Sequence, residues 1–380
     1  MIYTPREDSL FLNKFVKRYA RGYVLDMGTG SGIQAITAAK KAKKVVGVDI
    51  SAKVIEYCKQ HYKNKKIEFI RSDLFSKLKQ KFDVIIFNPP YLPEDVRLKD
   101  LTVNGGKKGY EVIERFLNKA NDYLKTNGCI LLLFSSLTDK EKIHKILQEN
   151  LFSYKFLGER KIFFETLYVY KIEKNSLLKR LEKIGITKIQ YFTKGHRGML
   201  FTGLYNKKKV TIKIKNPESK AVGRIKNEAN YLKIINKKNI GSKLLYSTKD
   251  YFVYEFVPGD FILDYVVKND KKSIIKMISN IFQQCFILDS LRLDKEEMHH
   301  PIKHIIIKQK PVLLDFERMH PVNKPKNVTQ FCQFLISKRV RGLLKKKKIF
   351  VNTKKIMDLA KQYKHNLSKE NLKKIVETFK

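Results

Sequence analysis

The chain has 380 residues, 43% hydrophobic and 31% charged, with 79 Lys and Arg against 37 Asp and Glu, a formal net charge of +42. At roughly 100–200 residues per domain this length predicts two or three domains, and the apolar fraction excludes extensive disorder. No apolar run approaches the ~20 residues that span a bilayer, and the opening MIYTPREDSL lacks the basic-then-apolar pattern of a secretory leader. A cytoplasmic protein with no membrane partner is expected. The four cysteines, Cys58, Cys129, Cys285 and Cys332, lie far apart with no Cys-x-x-Cys pair, which points to buried thiols rather than a disulfide framework or a structural zinc site. The basic excess favours polyanions such as RNA or the ribosome through counterion release; lysine-rich solvated faces are the plainer alternative.

Strand-like apolar runs cover residues 22–27, 44–49, 67–72, 82–87, 129–134 and 166–172, with helical patterns over 33–40, 52–62 and 110–123. Alternating strand and helix predicts an open, mainly parallel α/β sheet over residues 1–172. The unbroken apolar run 84–87 fits a central strand covered on both faces. Residues 173–190 read as a polar linker with a short helix. Beyond it the texture changes to strands over 191–215 and 251–256, helices over 227–236 and 273–288, and a short strand over 311–316. That order predicts a second, α+β domain over 191–320. Residues 321–380 read as a basic helical C-terminal region.

In VLDMGTGSGI, residues 24–33, an apolar strand ends in Asp26, a turn carries Gly28, Thr29, Gly30, Ser31 and Gly32, and a helix opens near Ile33. Glycines let the backbone turn tightly against a ligand, and a helix N-terminus offers free N–H donors. The Gly-x-Gly-x-Gly spacing behind a strand-terminal aspartate departs from the dinucleotide pattern Gly-x-Gly-x-x-Gly. It resembles motif I of class I S-adenosylmethionine-dependent methyltransferases, which implies a Rossmann-like sheet and a loop lying along the amino-acid part of that cofactor. Asp49 ends the next strand, where a carboxylate can accept both ribose hydroxyl protons. Asp73, followed by Leu74, ends the third, where the resembling family contacts adenine.

The fourth strand runs into Asn88, Pro89, Pro90 and Tyr91. Two prolines stop the strand and hold a rigid bend with exposed carbonyls. The Asn88 side-chain oxygen and the Pro89 carbonyl can together accept both protons of a planar –NH2 group, and Tyr91 can stack on its face. Such nitrogens are poor nucleophiles, so orienting the lone pair along the S–CH3 axis supplies the proximity an in-line transfer needs. No metal is required.

Two further segments narrow the acceptor. YTPREDSLFL, residues 3–12, looks like the YxPxEDSxLL element of the short archaeal and eukaryotic branch of HemK-type release-factor glutamine methyltransferases, and VNGGKKGYEVIERFL, residues 103–117, is similar to that family's GGxxGxEVIxxFL segment. The resemblance implies methylation of the glutamine of the GGQ loop of a peptide chain release factor. It also implies a small zinc-binding activator protein over an apolar sheet edge, and places Glu7 and Asp8 near the cofactor. N-methylation of adenine or guanine amines in RNA or DNA, where the Asn-Pro-Pro-Tyr motif also occurs, is the alternative.

In the second domain Gly195, Gly198 and Gly203 precede VTIK with Lys213, Glu228 follows on a helical pattern, and PVLLDFERM carries Asp315. Residues 191–320 resemble a RIO-like atypical kinase domain, which implies that Lys213 pairs with nucleotide phosphates and with Glu228, and that Asp315 holds the metal of Mg-ATP. Glu317 replaces the glycine of Asp-Phe-Gly. The catalytic loop is missing: in EEMHHPIKHIII, residues 296–307, His304 falls at the second metal-binding asparagine and His299 roughly at the catalytic aspartate. A nucleotide- or RNA-binding docking module without catalysis is therefore the alternative for this half. The basic RVRGLLKKKK, residues 339–348, marks a surface for RNA or the ribosome, or a solvated helix face.

Overall fold

Residues 5–93, 105–195, 198–216 and 224–379 are described by a computed structural model. The chain divides into two units, Met1–Tyr191 with Gly203–Asn206 and Phe192–Thr202 with Lys207–Lys380.

The first unit runs α1 (Glu7–Tyr19), β1 (Tyr23–Met27), α2 (Ile33–Ala39), β2 (Lys44–Asp49), α3 (Ala52–His61), β3 (Ile67–Arg71), β4 (Phe82–Phe87), α4 (Glu111–Tyr123), β5 (Leu124–Ser135), α5 (Lys140–Glu149), β6 (Phe152–Ile162), β7 (Glu165–Lys174) and α6 (Ser176–Lys183). Its seven-stranded sheet has the order β3-β2-β1-β4-β5-β7-β6. β1 to β5 pair in parallel, and β7 is antiparallel to both β5 and β6. This is the Rossmann-like sheet expected of class I methyltransferases. Val84, Ile85 and Ile86 of β4 are fully buried, as a strand covered on both faces requires.

The expected strands and helices of this half are present, with β5 and β7 longer than their apolar centres. Three elements have no counterpart in the sequence reading. β6 is an edge strand whose side chains are mostly exposed or half-exposed. Its place comes from backbone pairing with β7, not from an apolar pattern. α5 is short. α1 buries Asp8, Ser9 and Asn13 beside Phe11, Leu12 and Val16, so polar residues break its apolar stripe.

The stretch 173–190, read as a linker, is built into the first unit. Leu178, Leu181 and Ile186 are fully buried. Buried Lys174 donates to Asn121 O at 3.0 Å and pairs with Glu182 Oε1 at 2.5 Å.

The second sheet joins β8 (Thr187–Lys194), β9 (Gly198–Tyr205), β10 (Lys208–Lys215), β11 (Leu244–Ser247) and β12 (Tyr251–Glu255) in the order β11-β12-β10-β9-β8. The helices are α7 (Arg224–Asn236), α8 (Ile262–Lys268), α9 (Lys271–Ser290), α10 (Asn327–Ile336), α11 (Lys338–Lys346), α12 (Thr353–His365) and α13 (Lys369–Glu377). The strand expected over 311–316 is shorter, Pro311–Leu313, and pairs with Ile305–Ile307.

Phe331, Leu344, Ile356, Tyr363 and Ile375 of the C-terminal helices share one apolar core with Ile278, Phe282 and Leu313. Buried Asp289 of α9 fastens this layer. Its carboxylate accepts from Asn327 N and Nδ2, Val328 N and the Tyr363 hydroxyl. The basic helical region is thus continuous with the core of the second unit. On α11 only Val340 and Leu344 are buried, while Lys338, Arg339, Arg341, Lys345 and Lys346 face solvent. All four cysteines are buried. Among the described residues no helix is long and apolar enough to cross a membrane.

Candidate active site

β1 and β2 run in register, Met27 beside Val48, and the chain then turns over the sheet edge with Thr29 N donating to Val48 O at 2.8 Å. Gly28, Gly30 and Gly32 have φ of 65°, 51° and 81°, the left-handed region that side chains resist. Asp26 sits beneath this turn, 2% exposed. Its Oδ2 accepts from Thr29 Oγ1 at 2.7 Å and from Ala35 N at 3.0 Å in the first turn of α2. Burial pushes its carboxyl up to about 7. The structure thus gives Asp26 a bracing role within the loop it was expected to share with the cofactor.

Asp49 closes β2. Its Oδ2 accepts from Gly30 N at 3.2 Å and its Oδ1 from Ser51 N at 2.9 Å, and partial burial raises its pKa. Each carboxylate oxygen has two lone pairs, so one remains on each for a diol. Asp73 lies just past β3, ion-paired through Oδ2 with Arg115 Nη2 at 2.7 Å. Leu74 follows with φ 46°.

β4 is the other neighbour of β1, with Met27 beside Phe87. That register delivers Asn88 to the same sheet edge as Gly28. Asn88 Nδ2 donates to Asp8 Oδ2 of α1 at 2.7 Å. Its Oδ1 is buried and has no hydrogen-bond partner among the described residues. Past the two prolines, buried Thr138 donates its hydroxyl to Tyr91 O at 2.9 Å.

Gly109 (φ 82°) packs so close that a Cβ there would stand 2.4 Å from Tyr91 O, and one on Gly105 would stand 2.6 Å from Pro90 O. Gly105 N also donates to Leu92 O at 2.9 Å. These contacts explain why a Gly-Gly-x-x-Gly segment follows the diproline corner: backbone lies against backbone. The beginnings of the two motif segments, Tyr3 and Thr4, and Val103 and Asn104, lie outside the described residues.

A family model, the methyltransferase small domain, matches residues 7–164. A Methanocaldococcus jannaschii protein, provisionally assigned as a protein N5-glutamine methyltransferase, is 44% identical over 154 residues, 38% of this chain and 78% of that protein. This chain belongs to the HemK-type protein-glutamine methyltransferase family. The release factor glutamine methyltransferase of Haemophilus influenzae is 30% identical over 148 residues, 33% of this chain and 50% of that protein. The chain thus spans about half the length of that bacterial relative. A solved structure of the E. cuniculi Mtq2–Trm112 complex, responsible for methylation of the eRF1 translation termination factor, is 31% identical, covers 46% of this chain and 98% of that one, and has a TM-score of 0.39.

The protein is an S-adenosylmethionine-dependent methyltransferase, and its residues fit that cofactor. Asp49 offers acceptor lone pairs beside the left-handed glycine turn, and the buried, unpartnered Asn88 Oδ1 stands at the same sheet edge. When bound, S-adenosylmethionine supplies a methyl group on an electrophilic sulfonium. Sequence reasoning missed what holds this methyltransferase's corner in place, namely Thr138, Gly105 and Gly109, and it placed Asp8 near the cofactor without its bond to Asn88. Glu165, at the start of β7, was also missed. Burial raises its pKa, Asp8 adds repulsion, and its Oε2 is buried without a hydrogen-bond partner among the described residues.

The second unit of the methyltransferase chain brings its three expected residues together. Lys213 Nζ lies 2.6 Å from Glu228 Oε2 and 3.4 Å from Asp315 Oδ1. Phe316 N donates to Glu228 Oε1 at 3.3 Å. Burial alone would lower the Lys213 pKa, but Glu228 and Asp315 outweigh it and hold the ammonium charged. Asp315 is kept ionised by Lys213 and Lys295, against its own burial. Gly195 N donates to Gly198 O at 2.8 Å at the β8–β9 turn. His299, which the sequence aligns roughly with the missing catalytic aspartate, is exposed, its ring 4.9 Å from that of His300. The acid next to His304 and Asp315 is Glu297, and neither it nor buried Lys295 was foreseen.

Proposed function

We propose that this methyltransferase acts on the side-chain amide nitrogen of the GGQ-loop glutamine of a peptide chain release factor. The supporting observation is the Asn88 amide. Its nitrogen is committed to Asp8, so its buried oxygen is left without a partner and free to accept. With the Pro89 carbonyl it receives the two N–H groups of a carboxamide, while Tyr91 covers the amide face. Holding the amide this way aims the nitrogen lone pair and excludes rotation, the proximity contribution that a weak nucleophile needs most.

Bacterial relatives named release factor glutamine methyltransferases, 30% and 31% identical, support the substrate. The short-branch motifs support a small zinc-binding activator protein as partner, seated on an edge of the first sheet. Incubation of the protein and its activator with a release factor and methyl-labelled S-adenosylmethionine tests both. Label is expected in the release factor and is expected to vanish when the GGQ glutamine becomes alanine. Label that survives this change, or that enters RNA without protein, would instead favour a nucleic-acid amine acceptor, to which the +42 charge leans.

For the second unit a RIO-like, kinase-like fold that binds Mg-ATP is the reading favoured by the Lys213–Glu228–Asp315 contact. Exposed lysines and arginines of α11 offer an RNA or ribosome surface. Unchanged ATP affinity in Asp315→Ala would reject the nucleotide assignment.

A further inference from the structure

The turn between β6 and β7 departs from the usual chemistry of hairpin tips. Such tips take Gly, Asn, Asp or Pro, which supply turn geometry or local hydrogen bonds. Here Phe163 and Phe164 fill the turn, 99% and 92% exposed, with ring centroids 6.4 Å apart. Neither side chain buries apolar area within the fold. Adjacent bare aromatic rings of this kind mark a surface that another molecule covers.

The placement of the tip says what that molecule is. β7 is antiparallel to β5, so the hairpin turn lies at the edge where the parallel strands end, the edge of Asn88 and the glycine turn. Both arms are fastened to the elements that hold the diproline corner. On the β7 arm, Ser136 N donates to Thr166 O at 2.8 Å and Thr166 N donates to Ser136 Oγ at 2.9 Å. Two residues beyond Ser136, the Thr138 hydroxyl donates to Tyr91 O. On the β6 arm, Arg160 Nη2 pairs with Glu7 Oε1 at 3.3 Å, and the next residue, Asp8, holds the Asn88 amide. Glu165 keeps its Oε2 buried, so the root of the turn is packed while its tip is bare. The tip reaches two residues, roughly 7 Å, past Thr166. A lone amide side chain has no use for an aromatic surface beside the site, whereas a folded protein that presents the amide on a loop does.

We propose that Phe163 and Phe164 form the docking tip for the protein that carries the acceptor glutamine, seating in an apolar recess of that protein beside the modified loop. The proposal rests on the amide-acceptor reading above and adds the surface that selects a whole protein over a free loop. Asn88 and its corner orient the amide, and the hairpin tip holds the body that bears it.

The test uses the full chain with its activator and compares two acceptors, an intact peptide chain release factor and a short peptide carrying its Gly-Gly-Gln. In the double variant Phe163→Ser, Phe164→Ser, KM for the intact factor is expected to rise about tenfold or more, the size of losing aromatic anchors. Its kcat, its KM for the peptide, its affinity for S-adenosylmethionine and for the activator, and its thermal unfolding are expected to stay near those of the parent. Phe163→Leu with Phe164→Leu keeps the apolar area and is expected to recover most of the loss. Because the native cysteines are buried, Phe164→Cys provides one accessible thiol, and an environment-sensitive fluorophore attached there is expected to shift to shorter wavelength when the factor is added. A parental KM for the factor in the serine variant, equal rises in KM for factor and peptide, or weakened activator binding would overturn the docking tip and leave the acceptor amide assignment standing. A parent that labels neither factor nor peptide, or that labels RNA instead, would overturn the acceptor reading and the docking tip together.

Discussion

Asn88 Nδ2 and Asp8 Oδ2 meet at 2.7 Å across 80 residues of sequence, and this contact fixes which end of the Asn88 amide faces the sheet edge. A free carboxamide presents a donor or an acceptor with equal ease. Tied to a carboxylate, it presents the acceptor. α1 itself is anchored by Asn13 Nδ2 donating to Gln34 Oε1 at 3.1 Å and Thr37 Oγ1 at 2.7 Å, and by Gln34 Nε2 donating to Ser9 O at 2.8 Å. The helix that carries Asp8 is therefore held by the same α2 that follows the glycine turn.

We predict that Asn88→Ala lowers kcat about 10²–10³-fold, the size of losing one preorganised hydrogen-bonding group, with S-adenosylmethionine affinity close to that of the parent. Asp8→Asn keeps the contact but lets the Asn88 amide flip, so a smaller loss in kcat is expected. Cofactor binding by calorimetry beside steady-state kinetics separates the two effects. A parental kcat in Asn88→Ala would remove Asn88 from the acceptor site.

Gly109→Ala places a methyl 2.4 Å from Tyr91 O at φ 82°, where backbone must move. Displacing the corner by about 1 Å is expected to cost about 10²-fold in kcat. The glycine turn is untouched, so the dissociation constant of the cofactor is expected to hold. Equal losses in kcat and in cofactor affinity would mean that the substitution disturbs the whole sheet edge.

Asp26 carries a pH signature. Its carboxyl is raised from 3.8 to about 7, burial being the main cause. An acid with a raised folded-state pKa contributes stability that is full below the unfolded value and is lost as pH climbs through the folded value. Asp26→Asn cannot ionise. The melting temperature of the parent minus that of this variant should therefore fall between about pH 4 and pH 7 and level off above. A difference that stays flat across that window would show that Asp26 titrates normally.

In the Lys213–Glu228 pair the carboxylate is buried and the ammonium largely so. Glu228→Ala leaves the Lys213 ammonium with Asp315, 3.4 Å away, as its remaining acidic partner and is expected to destabilise the second unit by up to about 3–5 kcal/mol. The double variant Lys213→Met, Glu228→Leu should recover most of that loss. Scanning calorimetry reads both, and a double variant no more stable than Glu228→Ala would argue for a network wider than the pair.

Much of the first unit was legible because its signals are local. Val24 to Gly32 encode their own strand and turn, since glycine and strand-forming residues act on the backbone they belong to, and Pro89 and Pro90 end β4 wherever it lies. The three acids were visible for the same reason, each closing an apolar run. What the residues touch was not visible in this way. Asp26 turned inward to Thr29 and Ala35 because the β1–α2 turn folds over it, and Asp73 met Arg115 from α4. In the second unit the sequence showed that the catalytic loop is missing but not that two consecutive 3-10 turns set Glu297 beside His304 and leave His299 in solvent.

Alone, then, the sequence determined a doubly wound sheet with a glycine turn, acids at strand ends and a diproline corner, because glycine, proline and apolar periodicity constrain the chain within a few residues of themselves. Only the tertiary structure decided that Asp8 orients Asn88, that Thr138 and Gly109 hold the Tyr91 backbone, and that Glu297 joins His304 and Asp315. Those contacts join segments far apart in the chain, and strand order and register, set by how the whole core packs, choose which distant side chain arrives.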